Sequence, residues 1–158
     1  MYAELLRIKV HREQTAAQAL RGQQRLLAQQ AHVVQQARDE AAQFHERRMV
    51  QEQRLFDEIK GRVVALCAIE GMNGTIAALR EQEALMATRI LDEEKRLKEA
   101  QKAVEEAQRR YVATVREHEK FDQFVAVQRE MDRQEHLRRE EAELEEIASA
   151  AHQTRKGA

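Results

Sequence analysis

The sequence predicts an all-α protein built as a long two-helix antiparallel coiled-coil hairpin. Three observations predict it. The first is usage: Ala, Glu, Gln, Arg and Leu dominate the 158 residues, with no proline and no tryptophan, the composition of long helices. Charged residues make up 35% of the chain, too many to leave a thick apolar core, so burial must follow a narrow seam. The second is spacing, because apolar residues recur at steps of three, four and seven, one stripe along a helix. The third is punctuation: Gly71 and Gly74 are the only two glycines that fall close together before the C-terminus.

Helix 1 is expected over about residues 3–70. Its stripe runs through Leu5, Ile8, Ala16, Ala19, Leu26, Val33, Ala37, Ala41 and Phe44, then Leu55, Ile59, Leu66 and Ile69. Proline inside a helix costs ~3 kcal/mol or more, and this chain has none to pay for. Gly22 and Gly61 each weaken a helix by roughly 1 kcal/mol, which a long element tolerates.

The tip is expected at residues 71–74. Gly71 can close a helix in the left-handed conformation, Asn73-Gly74 is turn chemistry, and Thr75 or Asn73 can cap the helix that follows. Helix 2 is expected over about 75–152. Its stripe is Ile76, Leu79, Met86, Ile90, Leu97, Val104, Tyr111, Val115, Val125, Leu144 and Ile147. A tip near residue 72 sets Leu55 against Ile90 and Val34 against Tyr111. The arms would then reach roughly 100 and 120 Å at ~1.5 Å per residue. The seam is imperfect, with Arg48, Arg62, Glu83, His118 and Arg129 at positions where a strict heptad calls for a hydrophobe. Such residues cost stability and can fix register.

The formal net charge is −1, so binding to nucleic acid by bulk electrostatics is not expected. The charge is nonetheless uneven. Residues 1–38 hold six Lys/Arg against two Asp/Glu, and residues 128–146 hold four against eight, as two segments lying side by side would. Cys67 is alone, so no internal disulfide can form. "MYAELLRIKV" does not read as a signal peptide. The longest apolar run, "VVALCAI" at 63–69, is far short of the roughly 18 residues a membrane span needs. A soluble, cytoplasmic protein without membrane insertion is expected.

The residues offer no chemistry. There is no phosphate-binding glycine motif, and the paired glycines read as turn residues. The six histidines are scattered without a metal-binding spacing, and Cys67 sits in an apolar run as an inert thiol. No enzymatic activity, metal or cofactor is expected. Apolar residues beside the seam are more informative. Phe121 and Phe124 are expected to flank a seam running through His118, Asp122 and Val125. They either widen the core against Leu20 or form a patch for a partner. Phe56 lies one step off the seam carried by Leu55 and Ile59.

The segments "LLRIKVHRE" (5–13) and "VQEQRLFDEIKG" (50–61), with the long uninterrupted helices, resemble the YscO family of type III secretion proteins. That family is the injectisome counterpart of the flagellar export protein FliJ. The block Gln53-Arg54-Leu55-Phe56-Asp57 is the piece that heptad periodicity does not require. The resemblance implies a hairpin like the coiled-coil part of a rotary ATPase central stalk. It implies insertion into the pore of the hexameric export ATPase, a link to the export gate, and contacts with secretion chaperones or the needle-length regulator. It further implies that the helix termini enter the ATPase ring and that the region nearer the tip, with Leu55 and Phe56, is available to the gate. The basic amino end (Arg7, Lys9, Arg12) is expected either to meet acidic collar loops or to pair with helix 2, and Gln53 is a further expected partner-binding residue. Phe121 and Phe124 complete the expected partner-binding residues. The stalk would be monomeric. The competing reading is a structural coiled-coil tether or scaffold that dimerises, burying Phe56, Phe121 and Phe124 between chains.

Overall fold

The computed structural model describes residues 2–157. They form two helices, α1 (Tyr2–Ile59) and α2 (Leu66–Lys156), of 58 and 91 residues, and no strand occurs among them. The helices run antiparallel as a hairpin. Backbone contacts group into two units. One takes the chain up to Ala17 together with Arg110 onward; the other is Gln18–Arg109.

The connection lies at 60–65, not at 71–74. Gly61 adopts φ +72°, the left-handed conformation that ends helices and that a side chain disfavours. The Lys60 amide donates to the Phe56 carbonyl at 3.1 Å and the Arg62 amide to Ile59 at 3.2 Å, closing α1. Val63 and Val64 follow outside any helix, consistent with the stiffness of β-branched residues. Gly71 and Gly74 are absorbed into α2. They cost propensity, but Met72, Ile76 and Leu79 pack against α1 over the same turns, and tertiary packing outweighs propensity. Thr75 does not cap a helix; its hydroxyl donates to the Gly71 carbonyl at 3.0 Å from within α2.

Moving the turn changes every pairing, because each residue by which it moves shifts the opposite residue by two. In the Gln18–Arg109 unit, Gln30 meets Glu93, Arg38 meets Glu94 and Glu40 meets Arg89. Glu52 meets Arg80 and Glu40 meets Arg89, so the expected pair Leu55–Ile90 does not form. The seam itself is a regular heptad. In this unit α1 contributes Leu20, Leu27, Val34, Ala41, Arg48 and Leu55 at one core position, each half-buried or buried. α2 contributes Ile76, Glu83, Ile90, Leu97 and Val104 at the matching one. In the other unit Leu6 and Glu13 face the stretch through Tyr111, His118 and Val125.

Two parts of the expected stripe lie elsewhere. Leu5, Ile8, Ala19 and Leu26 are exposed, because the seam runs one residue further along, through Leu6, Lys9, Leu20 and Leu27. One residue is a rotation of about 100° on a helix, enough to carry a side chain from seam to solvent. Leu144 and Ile147 are exposed as well. α1 begins beside Phe124, with the Tyr2 and Phe124 rings edge to face at 6.0 Å. Every described residue from Arg129 to Gly157 is exposed, so the acidic stretch of α2 does not lie beside the basic start of α1. Only Val34, Ala37, Ile76 and Val125 are buried apolar residues among those described, as a seam one layer deep dictates.

Candidate functional site

The polar seam positions are where the two helices recognise one another. In the Gln18–Arg109 unit, Arg48 and Glu52 project from α1 on successive turns and are joined at 2.8 Å. Both side chains are only 13% exposed, so their partners on α2 matter. Arg80 reaches Glu52 at 3.2 Å, and Glu83 pairs with both Arg48 and His45. The Glu52 carboxyl is held below the ordinary range by hydrogen bonds from Arg80 and then Arg48. Glu83 is held low chiefly by its hydrogen bond with His45. The hydrogen bond to Glu52 raises Arg48. In the terminal unit, Glu13 of α1 meets His118 Nδ1 at 2.5 Å, and Asp122, one turn further along α2, meets Nε2 of the same ring at 3.3 Å. Removing one member of such a cluster strands another, and this ties the two helices to a single register.

The outer faces are where other molecules can reach. Near the connection, the solvent side of α1 carries Met49, Val50 and Phe56, all exposed. Met49 and Val50 line shallow open grooves together with Gln53, Arg54, Asp57 and Glu58. Gln53 donates to Asp57 at 3.0 Å, which orders that face. Leu55 is half-buried in the seam, so it shares a segment with Phe56 but not a surface. Val63 and Leu66 are exposed at and beside the connection.

In the terminal unit, Phe121 is a half-buried seam residue while Phe124 is exposed. Their centroids are 6.3 Å apart, and Tyr2 meets the Phe124 ring edge to face. Lys9 turns inward to Glu117 at 3.2 Å, whereas Arg7 and Arg12 are exposed. The expected partner-binding residues thus fall into two groups. Gln53, Leu55 and Phe56 lie on one turn of α1 near the connection, and Arg7, Lys9, Arg12, Phe121 and Phe124 lie in the terminal unit. Sequence reasoning passed over the outward Met49 and Val50. It also passed over the uncovered end of α2, although a signal was present: the heptad continued past Val125 puts Asp132, Arg139 and Glu146 at seam positions.

Among the described residues there is no group of three metal-ligating side chains and no helix long and apolar enough to cross a membrane. The molecule is of the helical-hairpin class, with a polar-interrupted seam and outward apolar anchors. The family model for the type III secretion protein YscO matches residues 2–150. The chain is also similar to the YscO crystal structure from Vibrio parahaemolyticus, with 31% identity and a TM-score of 0.76, covering 89% of this chain and 92% of that one. No curated protein matches the chain. The chain belongs to the YscO family of type III secretion proteins.

Proposed function

We propose that the chain is a non-enzymatic stalk and adaptor of its secretion system, working at the cytoplasmic face of the apparatus. It would engage the hexameric export ATPase through its helix termini and link that ring to the export gate. The observation that carries this reading is that exposed anchors are separated along the single helix α1. Arg7 and Arg12 are exposed at one end of that helix and Phe56 near the other. Scattered apolar anchors among charged residues suit contacts that form and release as a partner moves. On this reading Arg7 and Arg12 meet acidic collar loops of the ring, and the face of Gln53, Phe56, Met49 and Val50 meets the gate. Secretion chaperones or a needle-length regulator would be further partners of the same surfaces.

The test is copurification with the export ATPase, followed by ATP hydrolysis with and without this chain. The chain should stimulate hydrolysis, and Arg7→Glu/Arg12→Glu should abolish the stimulation while helix content stays unchanged. Phe56→Ala should weaken capture of the gate's cytoplasmic domain and leave ATPase stimulation intact. Failure of the unaltered chain to bind or stimulate the ATPase would end the stalk reading.

A further inference from the structure

The terminal unit carries two uncovered stripes of opposite character. On α1, Leu5, Ile8, Arg12 and Thr15 follow one another at steps of three and four, and all are exposed. Leu5 and Ile8 are 42% and 48% exposed. Arg12 lies within this stripe and Arg7 to one side, and neither has a hydrogen-bond or ion-pair partner among the described residues. On α2 beyond the reach of α1, Leu137, Leu144, Ile147 and Ala151 repeat the same spacing, and all are exposed. They occupy the side of the helix away from the positions where the hairpin seam would continue, since those are Asp132, Arg139 and Glu146. Glu141 and Glu143 flank this second stripe and, unlike Glu130, Glu135 and Glu140, have no hydrogen-bond or ion-pair partner among the described residues. Lys and Arg are absent from 140 to 154.

We propose that two copies of this chain associate through these stripes, the Leu5–Thr15 face of one copy seated on the Leu137–Ala151 face of the other. Three points select a second copy as occupant. Each stripe has heptad spacing, which one helix of a coiled coil offers another. Their charges are complementary, unpaired guanidinium against unpaired carboxylate. Their lengths match at about 15–20 Å by helical rise. An antiparallel two-fold arrangement satisfies both contacts at once and closes on itself, as an isologous dimer does. The stripes are short and rimmed by solvated charge, so association is weak: the protein is monomeric at low micromolar concentration and dimerises at roughly hundreds of micromolar in low salt. The dimer occludes the two helix ends.

Sedimentation equilibrium of the full chain in low salt, with no other protein present, tests this separately from any ATPase contact. The unaltered chain should self-associate, and salt should weaken it. Arg12→Glu and, separately, Glu141→Arg/Glu143→Arg should each weaken self-association by about tenfold or more. An equimolar mixture of the two variants should associate again, because both contacts of the mixed dimer then join opposite charges. That rescue cannot come from damage to either fold. A chain that stays monomeric at the highest attainable concentration, or variants that do not rescue one another, would overturn the proposal and leave the Leu137–Ala151 face to a basic helix of another protein.

Discussion

At the residue scale, Arg48 shows how a charge can serve a seam. A hydrophobe would pack there at lower desolvation cost, yet the Arg48 side chain, only 13% exposed, lies between Glu52 and Glu83. Both carboxyls titrate below their ordinary value. The sign follows: a carboxyl depressed in the folded state stabilises above the unfolded value of about 4.3 and loses that contribution as pH falls through the folded value. Thermal melts from neutral pH down to about pH 3 should therefore show an acid limb that Glu52→Gln/Glu83→Gln flattens. The double variant should melt lower than the parent at neutral pH and converge with it in acid. Parallel pH profiles would show that the cluster contributes nothing to stability. Arg48 and Glu83 were visible in the sequence as polar breaks in the stripe. Their mutual contact was not, because it depends on a register that the expected turn placed wrongly.

At the element scale the contest lies between glycines. Gly61 ends α1 at φ +72°, while Gly71 sits inside α2 with no heavy atom within 4 Å of an added Cβ. An added methyl is therefore free of clashes at both sites, and backbone conformation alone decides the outcome. Gly71→Ala should stabilise by about 0.5–1 kcal/mol, since alanine loses less entropy in a helix. Gly61→Ala should destabilise by about 1–2 kcal/mol, because an L-residue is forced into the left-handed region. Equilibrium denaturation of the two variants should thus give opposite signs, and a connection at 71–74 would reverse them. The paired glycines with Asn73 are the stronger local turn signal. They lose because the turns of α2 around them carry Met72, Ile76 and Leu79 into the seam, an energy that no local motif reports.

At the scale of the whole molecule, the short roll of buried residues decides the thermodynamics. Val34 and Ala37 are 2% and 3% exposed, and only Ile76 and Val125 join them as buried apolar side chains among the described residues. Unfolding then uncovers little apolar surface for a chain of this length. Its heat-capacity change, measured by scanning calorimetry, should fall clearly below the ~12–15 cal/mol/K per residue of globular domains. A globular value would mean that apolar surface is buried elsewhere, as in a tightly held oligomer. Helix dominates nearly the whole described chain, so stability depends on pairing along the seam more than on any single residue.

Helicity, the division into two helices and the heptad spacing were all written locally, in composition, in the missing proline and in steps of three and four. Those features persist whatever the helices pack against, and the block around Phe56 added the family. Where the chain turns, which of two neighbouring stripes on α1 becomes the seam, and where α2 is left uncovered were decided by tertiary structure. A seven-residue repeat looks much the same when slid by a turn, so local pattern leaves the alternative registers nearly equal. The balance is tipped only when Val34, Ala37, Ile76 and Val125 find closed packing and the charges around Arg48 and His118 find their partners on the opposite helix.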